Sequence, residues 1–287
     1  MTNLTAMLPT LLLLALALVM FGLGLSLSLD DFKRLREHPR SVLLALGLQT
    51  LVLPAAAYGL ILLFGMEPVF AVGLMLLAAS PGGVSANLFS HLFGGNVAMN
   101  ISLTAVNTVL SIASLPLIAN WAIATFMQSG QVVPLQFGKV LEVVGVILLP
   151  VIIGMVVRSK APGFSERMGQ PMKAFSALVL AAFALLAIVK EWTALTAAFA
   201  SLGPLVLAFN LISLLVGYYL SRAAGLNKSM STAISFEIGI HNSTLAIYVA
   251  LSVLGNLQLA LPAALYSVSM YLTATLFGML VLRRTAN

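Results

Sequence analysis

Phe236-Glu237-Ile238-Gly239-Ile240-His241-Asn242 interrupts an otherwise hydrophobic segment that runs from about Ser229 to Leu254. Glu237 decides the reading, because a carboxylate near the centre of a bilayer costs several kcal/mol unless its charge is compensated. Gly239 lets the backbone leave helical geometry, and an unwound turn there directs the carbonyls of Glu237, Ile238 and Ile240 toward a common point. A carboxylate with converging carbonyls outlines a cation site. A salt bridge within a helix bundle is the competing explanation. The other charges at a membrane edge, Lys139, Glu142 and Lys190, all fall near segment ends.

The rest of the chain supplies the membrane. Of 287 residues, 61% are hydrophobic and 8% are charged, more apolar surface than a soluble domain can hide. Long apolar runs without ten-residue alternation select helices over a barrel, so the fold class is all-α and polytopic. Cysteine is absent, which excludes disulfides, thiol catalysis and thiolate metal sites, and weakens a reading as a thiolate-dependent metalloid exporter. No His-Glu-x-x-His or Gly-x-Ser-x-Gly motif supports an intramembrane enzyme. The net charge of +6 sits in short loops between spans, where it reports topology rather than nucleic-acid binding.

Taken in order, the spans are about Leu8 to Leu27, Ser41 to Phe64, Val69 to Phe93, Val97 to Trp121, Val140 to Val157, Ala174 to Val189, Pro204 to Leu220, the Glu237 segment, and Pro262 to Leu282. The third contains Pro81-Gly82-Gly83-Val84-Ser85-Ala86-Asn87. Pro81 lacks a backbone donor and the two glycines relax φ, so the helix breaks and restarts within one span. Nine spans put the loops holding four, four, two and two of the Lys and Arg residues on one side, the first of them an Asp30 to Arg40 loop. That side is cytoplasmic. The reading therefore puts residues near Gly130 and Trp192 outside, Arg36, Arg167 and Asn287 inside, and the protein in the cell inner membrane.

The broken spans are the third and the eighth, the third members of two four-span groups separated by span five. Groups five spans apart have opposite orientations. The expected unit is therefore an inverted repeat, with repeat one over about 8–121, a connecting helix over about 140–157 and repeat two over about 174–282. A discontinuous helix in each half places a substrate and ion site at the midplane.

At Pro81-Gly82-Gly83-x-x-x-Asn87 and Glu237-x-Gly239-x-x-Asn242 the chain resembles the bile acid:sodium symporter family. The resemblance extends through Met20-Phe21-Gly22-x-Gly24-Leu25, Asp31-Phe32 with His38-Pro39, and Gln49 with Pro54. It implies a core domain holding two crossed discontinuous helices, a panel domain of spans one, five and six, and two sodium sites. The first would use Asn87, Asn100, Thr104 and Glu237, with Ala86 where a serine is common. The second would use Gln49, Glu237 and the carbonyls of Ile238 and Ile240, with His241 where glutamine is usual. An imidazole nitrogen is a poor ligand for a hard alkali cation, and a protonated ring would put a positive charge beside Glu237.

The restarted half-helices should present N–H groups and positive dipole ends to an organic anion. Val84, Ser85 and Asn242 are the candidate contacts. In span nine the chain has Met270-Tyr271 where relatives often carry polar His-Asn residues, so a small carboxylate suits it as well as a bile acid. The function implied is sodium-coupled symport of an organic anion. The alternative is an uncoupled or proton-linked facilitator of the same fold.

Overall fold

The computed structural model describes residues 2–127, 137–190 and 192–282. The positions near Gly130, the Arg283-Arg284 pair and Asn287 lie outside the described residues. The described chain carries twelve helices of six residues or more: α1 Thr2–Ser26, α2 Leu29–Arg34, α3 Pro39–Phe64, α4 Pro68–Ala79, α5 Ser85–Leu92, α6 Val97–Phe126, α7 Phe137–Lys160, α8 Pro162–Lys190, α9 Trp192–Ala223, α10 Lys228–Gly239, α11 Ser243–Val253 and α12 Gln258–Leu282. α3, α6, α12 and the Leu202–Ala223 part of α9 are each long and apolar enough to cross a bilayer. Leu51, Leu63, Leu117 and Leu149 on these helices and on α7 are exposed, as lipid-facing side chains are. The chain is a multi-pass membrane protein.

Local sequence sets the ends of these helices. Asn96, Asn227 and Asn242 each precede a helix and accept a backbone N–H three residues on, capping α6, α10 and α11. Gly65, at φ 59°, ends α3 with its left-handed conformation, and Met66 N–H donates back to Ile61 O at 3.1 Å. Inside α3, Pro54 has no N–H to offer the carbonyl of Thr50. The helix widens there to a π turn over Leu48–Val52, and Gln49 lies in that turn.

The two expected breaks are present, at 80–84 between α4 and α5 and at 240–242 between α10 and α11. They meet in an antiparallel bridge between Gly82 and His241. Gly83 N–H donates to Ile240 O at 2.7 Å and Asn242 N–H to Pro81 O at 2.8 Å. Backbone groups freed by breaking a helix in a bilayer must be satisfied by protein, and here each break satisfies the other.

The glycines at the breaks are present for space and not for rotation, which corrects the reading above. Gly82, Gly83 and Gly239 all avoid positive φ. A Cβ on Gly82 would fall on the Glu237 carboxylate, and a Cβ on Gly239 would fall on the Leu214 side chain. Two other expectations change as well. The Asp30 to Arg40 stretch is largely helical, because Asp31 closes a capping box on Ser28 (2.7 and 2.8 Å) and so starts α2. Arg167 and Lys173 lie within α8, leaving only Ala161 between α7 and α8.

α1 packs chiefly on α7 and α8. Gly24 and Gly154 let α1 and α7 touch backbone to backbone, since a Cβ on either would overlap the partner helix's main chain. The broken helices pack instead among α3, α6, α9 and α12.

Candidate functional site

Glu237 is completely buried near the C-terminal end of α10. Thr104 Oγ1 donates to its Oε2 at 2.6 Å and Asn107 Nδ2 to its Oε1 at 2.9 Å. Both donors come from one face of α6, at the three-residue spacing that puts side chains on adjacent turns. Among the described residues no Lys, Arg or His side chain pairs with the carboxylate. The ion pairs Lys33–Asp30 and Arg34–Asp31 both lie at α2 and neither involves Glu237, so the salt-bridge explanation for Glu237 does not hold.

Several buried amide side chains of the core have an oxygen that accepts no hydrogen bond. Asn100 gives its Nδ2 to Ala233 O at 2.7 Å, and Gln49 gives its Nε2 to Ser80 O at 2.9 Å. The Oδ1 atoms of Asn87, Asn100 and Asn107 and the Oε1 of Gln49 are all buried without a donor. The carboxylate and the unpaired Oδ1 of its hydrogen-bonded neighbour Asn107 are oxygen donors that carry at most a single negative charge. A hard monovalent cation matches both properties. Among the described residues no three His, Cys, Asp or Glu side chains cluster as a divalent or transition metal would need.

The residues expected from sequence divide into two groups. Thr104 and Glu237 are joined directly, and Asn100 joins them through its carbonyl, 3.0 Å from Thr104 Oγ1. Asn87 is buried with its oxygen free and has no hydrogen bond to Glu237. Gln49 and His241 meet at Ser80 O, at 2.9 and 3.2 Å. A carbonyl only accepts, so His241 Nδ1 carries the proton there. Its Nε2 is buried and has no partner. The ring is also stacked on Phe209 and edge-on to Tyr266, and it forms no ion pair with Glu237.

The backbone carbonyls also differ from expectation. Ile240 O already accepts from Gly83, because the bilayer demands a partner for it. Asn242 N–H, which a continuing helix would have given to Ile238 O, goes to Pro81 O, so the Ile238 carbonyl loses its regular donor.

At the crossing, Gly83, Val84, Ser85, Asn242, Ser243 and Tyr271 help line a cavity of about 30 Å³, room for about one water. Ser85 Oγ lies 3.1 Å from Tyr271 Oη. The Oδ1 of Asn242 is occupied by the α11 cap, which leaves its amide N–H₂ as the group able to meet a ligand.

Sequence reading left out Asn107 as a ligand, although its spacing from Asn100 and Thr104 was visible. It also passed over Asn210 and Tyr266, which hold Gly239 O at 3.0 and 2.8 Å, and Thr273, which hydrogen-bonds Asn210. A single amide in an apolar span signals only that it has a partner somewhere.

Residues 13–198 match the model of the sodium bile acid symporter family. The chain is 33% identical over 220 residues to the P3 protein of Mus musculus, covering 76% of this chain and 46% of that one. It is 28% identical over 244 residues to a probable chloroplastic sodium/metabolite cotransporter, BASS2, of Oryza sativa subsp. japonica, covering 85% and 57%. Against the uncharacterized sodium-dependent transporter YocS of Bacillus subtilis it is 27% identical over 246 residues, covering 83% and 73%. The chain thus spans about half the length of the mouse and rice relatives. The matched region contains the first break, α6 and the motifs around Gly22, Asp31, Gln49 and Asn87, and on that basis the chain belongs to the sodium bile acid symporter family.

Proposed function

We propose that this protein is a secondary active transporter that uses sodium to drive an organic anion across the cell inner membrane by alternating access. The observation that carries the reading is the buried carboxylate of Glu237, which pairs with no Lys, Arg or His among the described residues and is hydrogen-bonded by Thr104 and Asn107. Sodium bound by Glu237, Asn87, Asn100, Thr104 and Asn107 neutralises that charge. A second, weaker position at Gln49 and the Ile238 carbonyl, with His241 and Ile240 alongside, holds another sodium loosely, because one donor there is a nitrogen and one carbonyl is engaged.

Coupling runs through the first break. Glu237 presses on Gly82, and two residues later Val84 and Ser85 line the crossing cavity. A cation that repositions the carboxylate therefore shifts the peptide that meets the anion, which gives each ligand a different affinity for the two states. A cavity with room for one water must widen to take a carboxylate, so anion binding also depends on this movement.

In this reading nine spans form two inverted repeats, about 8–121 and 174–282, joined by a helix at about 140–157. The panel of α1, α7 and α8 stands against a core of the remaining spans, with the N-terminus outside and the C-terminus in the cytoplasm. Uptake of labelled organic anions, from small hydroxy- and keto-carboxylates to bile acids, into proteoliposomes tests the function. Accumulation that requires an inward sodium gradient is the expected result. Accumulation driven equally by a proton gradient in sodium-free buffer would replace sodium symport with proton-linked transport, and equilibration without accumulation would leave a facilitator.

A further inference from the structure

Three cavities, each sharing lining residues with the next, lie between the crossing and an exposed mouth. The crossing cavity shares Val84 with a second cavity of about 150 Å³ between α1, α7 and α8. That one shares Arg158 and Glu166 with a third, of about 670 Å³, which opens at the exposed side chains of Asp30 and Lys33. The positive-inside distribution makes this the cytoplasmic end.

Two groups in the second cavity lack a complement. Arg158 is half-buried and donates one Nη1 hydrogen bond to Leu25 O at 3.1 Å. Neither Glu166 nor Asp30 lies within ion-pair distance of it, so its charge is not neutralised by a neighbour. Ser165, 3% exposed, lines the same cavity with a hydroxyl that has no partner. Glu166, the one carboxylate lining this cavity, is exposed, and water and salt screen it more than the guanidinium. Lys33 at the outer mouth is already paired with Asp30 at 2.7 Å.

We propose that Arg158 and Ser165 form an anion-holding station between the crossing and the cytoplasm, where the carboxylate of the transported molecule rests after leaving Val84. The proposal rests on the organic-anion reading above. A guanidinium presents a planar fork of donors that fits a carboxylate, and the serine hydroxyl lining the same cavity supplies a further donor. The station adds a full positive charge to the partial charges that the half-helix ends offer at the crossing. A helix-anchoring role is the alternative: Arg158 would then only hold the end of α1 through Leu25 O.

The chain has no cysteine, so Ser165→Cys in the full-length purified protein is a single reporter. Its modification rates with an anionic sulfonatoethyl and a cationic trimethylammonium-ethyl methanethiosulfonate, each divided by the rate with free mercaptoethanol, measure charge preference inside the cavity. The expected preference is about tenfold for the anionic reagent, as one unit charge at close range through partly hydrated protein produces. It should persist in Arg158→Lys, vanish in Arg158→Gln and shrink in 1 M salt. Ser26→Cys, in the same cavity, serves if Ser165→Cys does not yield a monodisperse protein. Equal preference with Arg158 and with Gln at 158 would leave Arg158 an anchor, and no reaction at either cysteine would show that the cavity is not a passage; either result overturns the station. No transport substrate is needed, so this result and that of the uptake assay can fail independently.

Discussion

The two breaks cross each other but are built from different materials. The first, at 80–84, is made of Pro81, Gly82 and Gly83 and contributes backbone: Ser80 O receives Gln49 and His241, Pro81 O receives Asn242, and Gly82 yields the room in which the Glu237 carboxylate sits. The second, at 240–242, follows directly on the charge and is held by side chains from outside it, with Asn210 and Tyr266 gripping Gly239 O. One break supplies space and acceptors, and the other supplies the charged group. A helix interruption in a membrane protein can thus contribute through its backbone and the room it leaves.

That division can be broken most severely at Gly82. Gly82→Ala should destabilise the protein by about 1–3 kcal/mol through overpacking against Glu237, and should abolish its response to sodium. In a Glu237→Ala background the same change should cost much less, because the obstructing group is gone; thermal unfolding of the four proteins measures the coupling. Equal costs in both backgrounds would show that the two breaks do not press on one another. Next in size, Tyr266→Phe removes one of two hydrogen bonds to Gly239 O, and should cost about 1 kcal/mol of stability with the sodium response retained. A sodium response lost with stability intact would move Tyr266 into the ion site.

The smallest effect is expected at His241. Replacing the ring by an amide, His241→Gln, gives the second position an oxygen in place of nitrogen, and the Hill coefficient for sodium in transport should rise from about one toward two. Sodium titrations of uptake in both proteins decide this. A wild type that already binds two sodium ions cooperatively would remove the functional distinction between the two positions.

The breaks were legible because Pro and Gly are strong punctuation in a long apolar run, and the charge at 237 has no innocuous place in a bilayer. What the glycines accomplish was not legible. A Gly selected for φ and a Gly selected for a neighbour's approach have the same letter, and Leu214 and the carboxylate that crowd Gly239 and Gly82 lie elsewhere in the sequence. The basic residues Arg158, Lys160, Arg167 and Lys173 make 158–173 read as a loop. Its 162–173 part is helical, because Pro162 starts the helix without needing an N–H and the charged side chains reach outward from its exposed end. Asn107 was visible and unassigned, since spacing alone could not tell a face that meets Glu237 from one that meets lipid.

The central claim, that the oxygens around Glu237 hold sodium, is tested most directly by thermal unfolding of the purified protein in detergent across a sodium chloride series, with choline chloride keeping ionic strength constant. Binding to the folded state alone raises the melting temperature with the logarithm of sodium concentration, by an amount equivalent to about 2.7 kcal/mol at one hundred times the dissociation constant. The account predicts that rise in the wild type and its loss in a folded Glu237→Gln protein. Equal melting temperatures in sodium and choline for the wild type, or an undiminished rise in Glu237→Gln, would contradict it.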